Sequence, residues 1–187
     1  PPMTVEFKDI RVRHLPETFG TAERLFNGEN TEGWTYSNDN QKDTWSVVDG
    51  VLQTTGRPAG YVRTTEDFTN YVLKLQMKHV QPGNSGVLLR KVGPDKVWPR
   101  SIESQGQSGS MGDIWNIDNF PMEVDPDRTS GRRTQKMHES NENPIGEWND
   151  YEITLDGTEL EIKVNGLVQN RASEVWETPG KICLQSE

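Results

Sequence analysis

The chain has 187 residues, enough for one substantial hydrophobic core and too few for two comfortable ones. Its formal net charge of −9 argues against nucleic acid and against an anionic membrane surface, because both partners demand an excess of Lys and Arg. Only 31% of residues are hydrophobic, yet six Trp, five Phe and four Tyr supply bulk, which fits a sandwich with long polar loops rather than a disordered chain. A neutral polyol ligand is compatible with this composition.

In chain order, no amphipathic helix emerges, and residues 17–26 have room for one helical turn or two at most. Trp45-Ser46-Val47-Val48, then Asp49-Gly50, then Val51-Leu52-Gln53 read as a hairpin, since a tight primed turn needs positive φ. Leu73, Leu75 and Met77 alternate with Lys74, Gln76 and Lys78, the pattern of a strand with one wet face. Ser101, Glu103 and Gln105 fall on one side of the next such strand, with Ile102 and Ser104 on the other. Between residues 108 and 147 the pattern fails. A stretch this long is functional or disordered, and Trp115, Phe120 and Met122 would anchor it as an ordered insertion over one sandwich face. The alternative is a loose surface excursion.

Alternation returns with Tyr151, Ile153 and Leu155, passes the hairpin signal Asp156-Gly157, and continues through Leu160, Ile162 and Val164 to a turn at Asn165-Gly166. Cys183, the only cysteine, permits no intrachain disulfide and sits in the apolar string Ile182-Cys183-Leu184, where a buried inert thiol is expected. No stretch approaches the ~18 apolar residues of a membrane span. No signal peptide is visible, and the redox compartment stays open on these grounds.

Several pieces stand in a telling order. Leu25-Phe26-Asn27-Gly28 is followed by Gly33-Trp34, then by Asn84-Ser85-Gly86-Val87-Leu88-Leu89-Arg90 and Ile102-Glu103-Ser104-Gln105. Gly146-Glu147-Trp148-Asn149, Val164-Asn165-Gly166 and Gly180-Lys181-Ile182-Cys183-Leu184-Gln185 complete the series. Together they resemble the 3-keto-disaccharide hydrolase family. That resemblance implies an all-β fold, a two-sheet antiparallel jelly-roll sandwich of the concanavalin A-like kind, as one domain over residues 1–187. One departure stands out: the family's final strand is missing after Glu187, and Val5-Glu6-Phe7-Lys8-Asp9-Ile10-Arg11-Val12 carries its pattern at the front. Residues 1–12 then form either a permuted strand or one belonging to a tandem or swapped copy, and are expected to pair in the sheet that holds residues 181–185.

The implied substrate is a glycoside already oxidised at C3 of the sugar. The ketone acidifies the C2 proton, a base removes it, the group on C1 leaves by elimination, and water adds back. Glu103 is the expected base and Arg90, facing the same way as Leu88 and Gly86 by alternation, the expected partner of the enolate. His138 or Glu139 would assist the departing oxygen. Asn84 and Gln105 would bind substrate, with Gly86 allowing close approach to the backbone. Of Trp34, Trp98, Trp115 and Trp148 as stacking platforms, Trp115 is preferred, and Trp148 is either core plug or platform. The plainer reading is a solvated sheet face with a Glu–Arg pair worth little.

No cofactor is implied. Asp125 and Asp127 resemble the start of a calcium loop, but Pro126 and the lack of a following Gly and Glu break the match. A structural divalent cation elsewhere is compatible with a lectin-like sandwich, with no ligands named. The resemblance also implies a periplasmic or extracellular bacterial location and a mono- or oligosaccharide partner. The competing functions are a non-catalytic carbohydrate-binding module on the same fold and a structural domain of a larger surface protein.

Overall fold

Alternation decides the architecture. In the computed structural model, which describes residues 3–15 and 22–187, the long strands turn one set of side chains inward. β1 (Val5–His14) and the short β2 (Glu23–Arg24) precede β3 (Trp34–Tyr36), a 3-10 turn over Asp39–Asp43, β4 (Trp45–Val48) and β5 (Val51–Thr54). β6 (Gly60–Thr64), β7 (Tyr71–His79), β8 (Gly86–Lys91), β9 (Ser101–Gln105) and β10 (Ile114–Ile117) follow. A 3-10 turn at Pro126–Arg128 leads into the minimal strands β11 (Thr129–Ser130) and β12 (Arg133–Thr134). Then come β13 (Asn149–Asp156), β14 (Glu159–Val164), β15 (Leu167–Ala172) and β16 (Lys181–Ser186).

These strands build two antiparallel sheets of eight. The first has the order β15-β14-β13-β7-β1-β5-β4 with β2 beside β1, and the second β11-β12-β10-β9-β8-β16-β6-β3. The expected all-β sandwich is therefore present. Leu73, Leu75 and Met77 of the first sheet meet Val87, Leu89, Ile102 and Ile182 of the second in one buried cluster. Each such side chain contributes about 1.5–3 kcal/mol on full burial, which is what holds the two sheets face to face. At the β4–β5 hairpin, Asp49 and Gly50 adopt φ of 50° and 78°, the pair of positive values a type I′ turn requires. The β13–β14 hairpin turns one residue later than read from sequence. Asp156 pairs with Glu159, so Gly157 and Thr158 form the turn, and Gly157 supplies the positive φ of 57°.

β1 shows a local break in the period. Val5 and Phe7 are buried, then Ile10 and Val12, a step of three where two is regular. Asp9 takes φ 51° there and the register on β7 shifts, so a β-bulge absorbs the extra residue and keeps the apolar set inward. The strand lies between β5 and β7 in the first sheet. This corrects the expectation that it pairs in the sheet of residues 181–185: β16 lies in the second sheet, and both its edges are taken, by β6 and β8. The helical turn considered for residues 17–26 lies partly outside the described residues, and Glu23–Arg24 is a strand.

The segment 108–147 is ordered but does not lie over one face. β10 and β12 extend the second sheet beyond β9. The rest crosses to the edge of the first sheet, where Glu123 bridges Ser173 and the Met137 amide donates to the Gln169 carbonyl of β15. Among the described residues no helix is long and apolar enough to cross a membrane.

Candidate functional site

Register fixes what the outer face of the second sheet displays. Trp115 of β10 is the cross-strand partner of Glu103, and Glu103 is the partner of Leu88 on β8. Leu88 pairs with Cys183 of β16, and Cys183 with Arg63 of β6. A parallel row carries Gln105, Gly86, Gln185 and Tyr61. Halfway along, Tyr61, Leu88, Ile117 and Cys183 form a small apolar cluster of their own. Over it lies the segment of residues 92–100. Asp95 pins that segment down by accepting from the Tyr61 hydroxyl (2.9 Å), Arg63 Nε (3.1 Å) and Lys91 Nζ (2.7 Å). Beneath it Cys183 is fully buried, and burial holds its thiol well above the usual range, so it is inert.

The face stays open at its other end, as a cleft of about 220 Å³. Glu103 forms its floor, Trp98 and Trp115 stand at its sides, and Arg132, Asn84 and Glu187 complete the wall. Trp98 is 44% exposed, whereas Glu103 is 5% exposed. Arg132 is placed by the β11–β12 turn, where its carbonyl accepts from the Asn116 amide, and its guanidinium lies 5.6 Å from the centroid of the Trp115 ring. Gln105 is half committed: its Oε1 accepts from the Gly106 and Gln107 amides and shapes the loop leaving β9.

Burial pushes the Glu103 carboxyl up to about 8. The negative charge of Glu187 adds to the shift, while the Gln185 amide and the Arg132 cation oppose it. Burial also raises Glu187, against a hydrogen bond from Asn84 that favours its ionised form. Four buried polar atoms here have no partner: Glu103 Oε1, Asn84 Oδ1, Gln185 Oε1 and Trp115 Nε1. A native protein leaves few such groups unmet. Three of them, on Glu103, Asn84 and Trp115, belong to residues that line the cleft, and Gln185 lies beside Glu103 over Gly86; unmet polar groups at a cleft match a ligand rich in hydroxyl groups, each of which both donates and accepts.

Arg90 is not part of this cleft. β8 carries an extra residue against β16, Arg90 takes φ 47° at that bulge, and its side chain turns to the opposite side from Leu88. It is fully buried, and its guanidinium donates to the carbonyls of Thr69, Gly157 and Trp176 and to Asn70 Oδ1. Arg90 therefore ties three loops together. His138 and Glu139 also lie elsewhere, exposed along a separate depression with Asp113 and Lys136, where Gln169 holds their backbone to β15. Trp148 rests on the outer face of the first sheet under Lys8 and Lys78, 4.3 and 4.7 Å from its ring centroid. Trp34 is buried core, with its indole N–H donating to the Leu25 carbonyl.

The structure thus brings together Glu103, Asn84, Gln105, Trp98 and Trp115 of the expected set. The residues missed were Arg132 and Glu187. Glu187 was legible, because the period that turns Cys183 and Gln185 outward continues to it; Arg132, on a two-residue turn, carries no such signal. Asp125 caps the 3-10 turn by accepting from the Asp127 amide and pairs with Arg128. Among the described residues no group of three or more His, Cys, Asp and Glu is arranged to hold a metal.

The model of the 3-keto-alpha-glucoside-1,2-lyase-like domain matches residues 21–187. No curated protein sequence matches the chain. Among solved structures, a candidate glycosyl hydrolase from Parabacteroides distasonis shares 23% identity at a TM-score of 0.61, over 86% of this chain and 85% of that one. A Bacillus licheniformis beta-glucanase shares 15% at 0.59, over 86% and 81%. A carbohydrate-binding module from Bacillus subtilis shares 11% at 0.58, over 82% and 86%. At these identities the likeness establishes the jelly-roll fold.

Proposed function

Because the chain belongs to the 3-keto-alpha-glucoside-1,2-lyase-like domain family, we propose that it is a carbohydrate-active enzyme that cleaves glycosides already oxidised at C3 of the sugar. The observation that carries this reading is Glu103, a carboxyl group poised to exchange a proton near neutral pH at the floor of a small open cleft. A ketone at C3 makes the C2 proton removable. The electron pair of the C2–H bond becomes an enolate, the C1–O bond breaks as the ketone re-forms, and the departing oxygen takes a proton. Water then adds to C1 while C2 regains a proton, so the net reaction is hydrolysis.

Arg132 replaces Arg90 as the group that meets developing negative charge. It is the cation lining the cleft, and its guanidinium lies 5.6 Å from the centroid of the Trp115 ring, on the side of the cleft where the negative charge would develop. Trp98 and Trp115 offer faces to the sugar rings. The cleft volume lies below the ~300–1,000 Å³ typical of drug-sized sites, and the segment of residues 92–100 closes the face beyond it. That shape suits one terminal sugar unit rather than the interior of a polymer.

The specific alternative is a binding module, which the two cleft tryptophans and the likeness to a carbohydrate-binding module favour. Incubation with a 3-keto-disaccharide and with its unoxidised parent separates the two. An enzyme releases free sugar from the keto form, whereas a module binds both and releases nothing.

A further inference from the structure

Two proton transfers are needed in each direction of this reaction, one at C2 and one at the glycosidic oxygen. His138 and Glu139 lie outside the cleft, so Glu103 alone leaves one of them without a residue. The cleft contains a second carboxyl group. Glu187 follows β16, whose period of two turns Cys183 and Gln185 onto the same outer face as Glu103, and its side chain lines the same cleft of about 220 Å³. The two acids approach it from different strands and do not share a hydrogen bond. Asn84 serves Glu187, and Gln185 serves Glu103.

Resting on the reading above, we propose that Glu187 is a second proton-transfer residue, and that Glu187 takes the C2 proton while Glu103 gives its proton to the departing oxygen. The environments fit this division. Glu103 is the more deeply buried, and burial lifts its carboxyl group to about 8; burial raises Glu187 too, but Glu187 is only half-buried and the Asn84 amide opposes that shift by favouring its ionised form. Two carboxyl groups whose surroundings push their proton affinities apart serve as acid and base in one site. The charged groups facing Glu103 are Glu187 and Arg132. An ionised Glu187 therefore helps to keep Glu103 protonated until catalysis begins.

The protons balance over a turnover. In elimination, Glu187 carboxylate accepts the C2 proton, the C2–H electron pair passes through the enolate into the new C1–C2 double bond, and the C1–O bond breaks. The leaving oxygen takes the proton of Glu103. In hydration, Glu103 carboxylate takes a proton from the water that bonds to C1, and Glu187 returns a proton to C2. Both groups end in their starting states, and no other reactant is required.

The test separates the two transfers. A 3-keto-disaccharide is incubated in deuterated water with wild type, Glu187→Gln and Glu103→Gln, following deuterium uptake at C2 of unreacted substrate and release of free sugar. Glu187→Gln should lose both by about 10²–10⁴-fold. Glu103→Gln should keep C2 exchange and lose release, because the enolate forms but its leaving group goes unprotonated. Glu187→Ala with added formate, which can supply the missing carboxylate, should regain exchange, and this variant also covers a misfolded Gln form. Wild-type exchange and release with both undiminished in Glu187→Gln would overturn the assignment of Glu187 and leave the 3-keto reading standing. Neither exchange nor release in wild type would overturn the 3-keto reading itself.

Discussion

Gly86 lies directly beneath the carboxyl group of Glu103: a Cβ built on it would sit 2.9 Å from Glu103 Oε1 and 2.3 Å from Gln185 Oε1. Its φ is not positive, so closeness and not backbone conformation makes glycine necessary here. Gly86→Ala should tilt the Glu103 carboxyl group toward solvent and lower the affinity for its proton. Misplacing a catalytic group by about 1 Å can cost about 10²-fold in rate. Turnover and the alkaline limb of its pH profile are the readouts, and wild-type kinetics in Gly86→Ala would contradict the close packing.

Glu103 also makes stability depend on pH. Its carboxyl group lies near 8 in the folded chain, against an ordinary 4.5 that applies once the chain unfolds. Between those values the folded state binds more protons than the unfolded one, so the contribution is full below about 4.5 and is lost as pH rises through about 8. Glu103→Gln removes the titration. The variant should match wild type in urea denaturation at pH 5 and be the more stable of the two at pH 9. Equal differences at both pH values would mean that Glu103 ionises as an ordinary surface carboxylate does.

Arg90 yields a stability prediction where the sequence pointed to catalysis. Arg90→Lys puts a single ammonium where a planar fork serves four oxygens of three loops and Asn70. Each buried carbonyl left without a donor costs about 1–3 kcal/mol. Denaturant midpoints should fall accordingly, while turnover per folded molecule at low temperature should stay near wild type. A fully stable Arg90→Lys chain without activity would restore Arg90 to the site.

Asp95 holds the segment that closes the outer face. Asp95→Ala removes the common acceptor of Tyr61, Arg63 and Lys91, and amide hydrogens across residues 92–100 should exchange faster while those of β7 and β13 keep their protection. Longer 3-keto-oligosaccharides should also compete better with the disaccharide. Unchanged exchange in that segment would show that the apolar cluster of Leu88, Ile117 and Cys183 suffices to hold it.

The long elements were readable because their physics is local. β7 and the β13–β14 hairpin bury every second residue without interruption, so period alone places them. One single-residue bulge defeated the same reasoning: at Arg90 it sends a guanidinium inward that simple alternation had put beside Glu103. The bulge at Asp9 only keeps the buried set of a strand that was read as a strand. The position of β1 between β5 and β7 depends on which sheet edges are free, which no local pattern encodes. Glu103 and Gln105 sit on a regular strand and were found by alternation; Trp115 was found as an aromatic in a stretch read as patternless, where the structure has a short strand, whereas Arg132 reaches the cleft from a turn whose direction only the folded hairpin sets.

The central claim is that a ketone at C3, acting through C2, makes the glycosidic bond labile in this cleft. The most direct measurement compares a 3-keto-disaccharide carrying deuterium at C2 with its unlabelled form, and both with the unoxidised parent. The account predicts release of free sugar from the keto substrates alone, slower for the deuterated one when proton removal limits the rate. It further predicts wash-out of the C2 label into ordinary water. Efficient cleavage of the unoxidised parent, with the C2 label fully retained in products from the keto form, would contradict it and point to direct displacement at C1.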